Sequence, residues 1–281
     1  MIADFSELLA QARQERHAVG AFTCYDVTTA FGVVRAATAK RASTILLISE
    51  ASMRTPEGSL LVAALATVAA KAATPCCVQL DHASEPALIK TAFAAGAGAA
   101  MADGSRLAAS DNAALLRRVR EVARPLGAAL EAELGHIEGG EDVATAAAAG
   151  KLTDPDEAAA FVAEAAPDCL AVSIGNVHGA YAGPPNLDWS RLTSIREHVN
   201  GVPLSLHGAS GLPDADVRRA IELGISKVNV NTEIRTRYLD ELARRLPDVR
   251  QGARLLELEE AVVDAVAGVV TEKLNLLEGR S

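Results

Sequence analysis

The sequence predicts an α/β protein built as a (β/α)₈ TIM barrel, and three observations carry that reading. Eight short apolar runs with strand character alternate with helix-like stretches. The runs are continuously hydrophobic, as parallel strands buried on both faces must be. Polar and charged residues collect where the runs end. The 281 residues suffice for one such barrel, and no internal repeat or boundary divides them. Residues 1–281 therefore read as a single domain, with an N-terminal helix and extra C-terminal helices. An open, doubly wound sheet is the competing architecture. It would advertise a Gly-rich turn after its first strand, and Phe22-Thr23-Cys24-Tyr25 is not one.

Taken in order, residues 4–16 have helical spacing, with Asp4 or Ser6 as N-cap. Strands are expected at 19–25, 43–49, 76–82, 99–103, 129–135, 169–175, 202–208 and 225–231. Helices are expected at 27–40, 58–72, 85–95, 110–124, 155–165, 213–223, 233–246 and 256–277. Glu85-Pro86 is a normal helix entry. After the fifth strand the chain runs through Gly140-Glu141-Asp142 to about Thr153. That is longer than a routine βα connection and is expected to form an active-site flap.

Composition excludes several classes. A net charge of −9 argues against nucleic acid, whose backbone is bound by clustered Lys and Arg. Small phosphorylated substrates stay open, because backbone N–H groups at helix starts can hold them. The start, Met1-Ile2-Ala3-Asp4-Phe5, lacks the pattern of a signal peptide, and the Ala-rich region 60–73 is too short for a membrane span. Cys24, Cys76, Cys77 and Cys169 lie in strand-like runs without zinc-knuckle spacing. They read as reduced core residues of a cytoplasmic protein.

The strand ends carry the chemistry. Val78-Gln79-Leu80-Asp81-His82, Ile174-Gly175-Asn176-Val177-His178-Gly179 and Leu206-His207-Gly208 each bring a histidine to the end of a buried run. Ser49, Asp103, Glu133, Asn229 and Asn231 fall at the same rim, which in such barrels is the active-site face. One histidine at a strand end is more often hydrogen-bonded than a ligand. Three at matching positions point to a catalytic zinc site with open coordination. His17 and His198 read as solvent-facing, and His136 has no evident partner. Gly208-Ala209-Ser210-Gly211 and Asn229-Val230-Asn231-Thr232 follow strands seven and eight, where barrels commonly bind phosphate.

These stretches, with Glu131-Ala132-Glu133-Leu134-Gly135, residues 139–142, 174–181 and 227–233, resemble the class II, zinc-dependent ketose-bisphosphate aldolases of fructose- and tagatose-bisphosphate type. The resemblance implies that His82, His178 and His207 hold one Zn²⁺ per subunit. Asp81 would be the acid/base at the C4 hydroxyl, and Glu141, on the flap, the proton exchanger. Glu133 would be an alternate metal ligand, and Asp103 would support a histidine. Ser49, Gly179, Gly208, Ser210, Asn229, Asn231 and Thr232 would grip the substrate and its phosphate, and Arg235 would reach a second phosphate across a dimer. A monovalent cation near the phosphate, a homodimer or homotetramer, and no nucleic-acid or membrane partner complete the expectation.

The chemistry is coherent. Breaking a C–C bond beside a ketone leaves a carbanion, which zinc can stabilise as an enediolate by acting as Lewis acid. No Schiff-base lysine is then needed; Lys227, near Asn229, is expected by strand alternation to point elsewhere. The sequence departs from the family at Thr23 (commonly Asn), Ala83 and Glu138 (commonly Gly), Ala182 (often Lys) and Asn231 (Asp or Ala). The metal set is untouched by these changes, whereas sugar specificity is left open. A zinc barrel hydrolase and a non-catalytic subunit of an aldolase complex are the competing functions.

Overall fold

The computed structural model describes residues 2–139, 146–147, 150–181 and 183–278. Eight parallel strands close into a barrel: β1 (Val19–Thr23), β2 (Thr44–Ser49), β3 (Cys76–Ala83), β4 (Ala99–Ala102), β5 (Ala129–Leu134), β6 (Cys169–Val172), β7 (Leu204–Leu206) and β8 (Ile225–Val230). Each strand pairs with its sequence neighbours, and β1 pairs with β8 to seal the ring. Strands β1, β6 and β7 are two or more residues shorter than the sequence suggested, and beyond the last residues of β6 and β7 the chain leaves the sheet for the segments that carry His178 and His207.

Helix α1 (Phe5–Glu15) precedes the barrel, with the Asp4 side chain accepting from the Glu7 N–H at 2.9 Å. Its Phe5, Leu8, Leu9 and Ala12 cluster with Val19, Ala21, Ile45, Leu47, Cys77, Ala99, Ala129 and Cys169. These strand residues alternate along their chains, so they mark the inward face, and α1 plugs the end of the barrel away from the site. All four cysteines are buried and unbridged.

The outer ring is α2 (Val27–Lys40), α3 (Glu50–Met53), α4 (Gly58–Lys71), α5 (Pro86–Ala94), α6 (Ala109–Ala123), α7 (Pro155–Ala165), α8 (Trp189–His198), α9 (Asp214–Glu222), α10 (Thr232–Gly252) and α11 (Leu255–Leu277). Three features depart from expectation. Helix α8 was not foreseen, although Asp188 caps it through the Arg191 N–H at 2.9 Å and Leu192 and Ile195 bury one face. Helix α3 is a single turn capped by Ser49. Helix α10 runs through Pro247 rather than ending before it. Proline costs an interior hydrogen bond, and the packing of Val249 with Leu258 and Val262, against Tyr238 and Leu242, offsets that cost. Among the described residues, no helix is long and apolar enough to cross a membrane.

Candidate metal centre and its surroundings

Above the apolar plug, the inward positions of the strands turn polar, two residues at a time. Gln79 is followed by Asp81, Glu131 by Glu133, Ser205 by His207 and Lys227 by Asn229. Each pair obeys the two-residue strand period, so one polar layer lies beneath another.

The upper layer holds the chemistry. The rings of His82, His178 and His207 meet edge to face, with centroids 4.9, 4.8 and 5.7 Å apart. One ligand nitrogen from each lies within 4.8 Å of the others. His82 places Nδ1 2.8 Å from Asp103 Oδ2, and His207 places Nε2 3.0 Å from Glu131 Oε1. These partners assign the N–H of each ring to its carboxylate. The remaining nitrogens, His82 Nε2 and His207 Nδ1, then face each other at 2.9 Å with lone pairs toward a common point, which a shared cation stabilises. A histidine backed by a carboxylate is also the usual form of a metal ligand.

Electrostatics agrees. Burial works against a charge on His82, but Asp81, Asp103 and Glu133 outweigh it and raise its pKa well above the usual value. The cavity thus attracts cations. Burial lowers the His207 pKa, with Lys227 adding to the effect and the hydrogen bond to Glu131 opposing it. Burial pushes Glu133 up to about 7. Among the described residues, Glu133 Oε2 and Asp81 Oδ1 are buried without a hydrogen-bond partner. The donor set fits a divalent ion. His82, Asp103 and Glu133 form a second, overlapping group of possible ligands.

Asp81 and His82 are sequence neighbours that both reach this centre, which a regular strand forbids. The pairing of β3 with β4 shifts register between Leu80 and Ala83, and His82 adopts φ of 50°. A non-glycine residue in the left-handed region is strained, and such strain gathers at functional sites. The bulge lets Asp81 Oδ2 accept from Asn229 Nδ2 at 3.1 Å while His82 turns to Asp103. His178 is held by its own N–H, which donates to the Glu138 carbonyl at 2.8 Å. A Cβ on Gly139 would lie 2.2 Å from the His178 carbonyl oxygen, so that approach requires glycine.

The lower layer was not anticipated. Glu131 is fully buried and receives Gln79 Nε2 at 2.6 Å, Ser205 Oγ at 2.5 Å and Lys227 Nζ at 2.8 Å. Lys227 also donates to Asn229 Oδ1 at 2.6 Å. The expectation that Lys227 points away from Asn229 is corrected here: residues two apart share a strand face, and both point inward. Burial opposes its charge, yet Glu131 and Asp81 outweigh that and raise its pKa. A paired ammonium is no nucleophile, so the lysine remains unsuited to Schiff-base chemistry for a different reason.

At the other expected positions, Ser49 is buried and caps α3. Gly179 and Gly208 have φ of 82° and 63°, and a Cβ on Gly208 would meet the Val177 carbonyl oxygen at 2.0 Å. Ser210 donates to Glu233, whose other oxygen pairs with Lys273 at 2.7 Å. Asn231 accepts from the Tyr25 hydroxyl at 2.8 Å, and Thr232 opens α10, with Arg235 one turn in. Thr23 and Ala83 are buried at the ends of β1 and β3. Glu141 and Ala182 lie outside the described residues. His136 does have a partner: it lines the mouth, with Nδ1 3.1 Å from Ser105 Oγ. His17 is half-buried, and His198 is exposed.

An acid-stability prediction follows from the two carboxylates that back the histidines. Burial opposes ionisation of Glu131, but Lys227 and His207 hold its pKa well below the usual range; His82 and Ser105 do the same for Asp103. A depressed folded-state pKa contributes stability that is complete above the ordinary carboxylate range and lost as pH falls through it. Urea midpoints of metal-free protein should therefore fall between pH 7 and pH 3, and Asp103→Asn should flatten that slope. An equal slope in wild type and variant overturns the assignment.

Comparison with known proteins agrees with this architecture. Residues 3–280 match the family model for class-II fructose-bisphosphate aldolase. The chain is 34% identical over 277 residues to YdjI of Escherichia coli K12, spanning 98% of this chain and 97% of YdjI. The crystal structure of the YdjI aldolase superposes with a TM-score of 0.88 at 31% identity, covering 99% of this chain and 97% of that one. Fructose-bisphosphate aldolase of Campylobacter jejuni shares the fold at 18% identity, with a TM-score of 0.82 and coverage of 98% and 95%. Barrel, histidine cluster and family match converge on one statement: this chain belongs to the class II fructose-bisphosphate aldolase family and is a carbon–carbon lyase.

Proposed function

We propose that the enzyme reversibly cleaves a phosphorylated ketose into dihydroxyacetone phosphate and an aldehyde, using one zinc ion held by His82, His178 and His207. A fructose- or tagatose-type 1,6-bisphosphate is the proposed ketose. The single observation that carries this reading is the convergence of those three imidazoles, two of them backed by buried or half-buried carboxylates. When bound, the ion supplies a Lewis acid for the carbonyl beside the bond that breaks.

The chain's own groups supply the rest. Asp81 is the proposed acid/base at the C4 hydroxyl: Asn229 fixes Oδ2, which leaves the buried Oδ1 for the substrate proton. Glu141 is the proposed second proton carrier, at the substrate carbon, and Glu133 an alternate ligand for the ion. Ser49, Gly179, Gly208, Ser210, Asn229, Asn231 and Thr232 are proposed to hold the dihydroxyacetone phosphate half, helped by the N-terminus of α10 and a monovalent cation. Arg235 is proposed to reach the second phosphate across a homodimer or homotetramer, in the cytoplasm.

The deciding experiment compares cleavage of fructose 1,6-bisphosphate, tagatose 1,6-bisphosphate and related phosphosugars before and after chelation. Activity should vanish with the metal and return with zinc, and borohydride should trap no adduct. Full activity in metal-free protein overturns the proposal. Asp81→Asn should keep its metal and lose about 10²–10⁴-fold in kcat, the usual share of a general acid–base group. A variant with near-native kcat removes Asp81 from the reaction.

A further inference from the structure

We infer that Lys273, on the C-terminal helix α11, is a positioning residue for phosphate binding: it neutralises Glu233, the carboxylate that anchors the loop after β7. The inference rests on the aldolase reading above and adds to it a residue that the strand-end motifs do not contain.

A space of about 640 Å³ opens between the loops after β6 and β7 and the first turns of α10, lined by Gly179, Tyr181, Ser210, Gly211 and Thr232. Several of these are the residues proposed to hold the phosphate of dihydroxyacetone phosphate. Glu233 and Lys273 line the same space. Glu233 lies in the first turn of α10, where the helix dipole favours an acid. The same dipole, with the N–H groups that have no partner within the helix, favours a phosphate. One helix end thus serves two anions, and uncompensated they would oppose each other.

The contacts resolve the conflict. Glu233 Oε2 accepts from the Ser210 hydroxyl, which ties α10 to the 208–211 loop. Its Oε1 lies 2.7 Å from Lys273 Nζ. Burial opposes a charge on Glu233, yet Lys273 and Ser210 outweigh it and hold its pKa below the usual range, so the carboxylate is ionised. The side chains of Lys273 and Glu233 are only 22% and 27% exposed, so solvent screens the charge incompletely and the ammonium is what offsets it. Asp240, Glu272 and Arg237 also line the space, but among the described residues Glu233 is the carboxylate bonded to Ser210. Lys273 reaches this point from α11, which packs against α2, α9 and α10. The C-terminal helix therefore sets the charge beside the phosphate from outside the histidine cluster.

The test follows dihydroxyacetone phosphate in two ways on the zinc-loaded enzyme: its dissociation constant by calorimetry without aldehyde, and its KM in condensation with glyceraldehyde 3-phosphate. Lys273→Met should raise both about tenfold, a fraction of the cost of like charges at full contact. The value of kcat should change far less, as when binding common to ground and transition states is lost. Lys273→Arg should keep most of the affinity. Glu233→Gln keeps an oxygen for Ser210 and should bind at least as tightly as wild type. Lys273→Met combined with Glu233→Gln should return both constants to near wild-type values, because no charge is left stranded. A lysine that merely packs α11 would give no such rescue. Unchanged constants in Lys273→Met, or a double variant as weak as the single one, overturn the inference and leave the aldolase reading intact. A wild-type enzyme that neither binds nor condenses dihydroxyacetone phosphate overturns both.

Discussion

His178→Ala is expected to lose about a thousandfold or more in kcat and to bind less than one zinc per chain. With all three rings present, a divalent ion has three nitrogen ligands and open positions for substrate oxygens. Removing one leaves two, and the Lewis acid contribution of several kcal/mol falls with occupancy. His178 is the most informative of the three. His82 and His207 are bound to Asp103 and Glu131, so replacing either also strands a carboxylate and confuses metal loss with destabilisation. His178 sits on the loop after β6, outside the barrel strands, with its backbone N–H donating to the Glu138 carbonyl, so the barrel should keep its melting temperature to within a few degrees. Metal content by elemental analysis, kcat at saturating zinc and a thermal melt together check this. Unchanged zinc affinity in the variant would remove His178 from the centre.

Much of this was legible in the sequence, for physical reasons that can be assigned residue by residue. The strands were visible because a sheet covered on both faces needs unbroken apolar runs, and the site because polar residues at the ends of such runs have few structural uses. Helix α8 was missed because its apolar positions, Leu192 and Ile195, are outnumbered by polar ones; only Asp188 as a cap signalled it. The pairing of Asp81 and His82 was expected to diverge, yet the device that allows it, a bulge with His82 in the left-handed region, leaves no sequence mark because histidine rarely adopts it. Glu131 was quoted in a motif but given no role. The available signal was parity: Gln79, Glu131, Ser205 and Lys227 each stand two residues before a rim residue, so the two-residue period already assigns them to one inward layer.

Lys227→Met is expected to destabilise the protein by about 3–5 kcal/mol, the usual cost of removing one partner from a buried ion pair. Lys227 and Glu131 have no solvent-exposed side-chain surface, and their charged atoms are 2.8 Å apart. Without the ammonium, Glu131 loses the largest influence that keeps its pKa low, and burial drives it toward the protonated form. That change reaches the site by two routes. A protonated Glu131 is a weaker acceptor for His207 Nε2–H, so His207 becomes a poorer ligand. Asn229 loses the donor to its Oδ1 and with it the orientation that offers Nδ2 to Asp81. Zinc affinity should therefore drop about 10–100-fold, more at low pH than at high, because losing Lys227 raises the folded-state pKa of Glu131. Lys227→Met combined with Glu131→Gln removes the stranded charge and should recover much of the urea midpoint without recovering zinc affinity. If the single variant melts like wild type and binds zinc equally at pH 6 and pH 8, the buried pair supports neither the fold nor the centre above it.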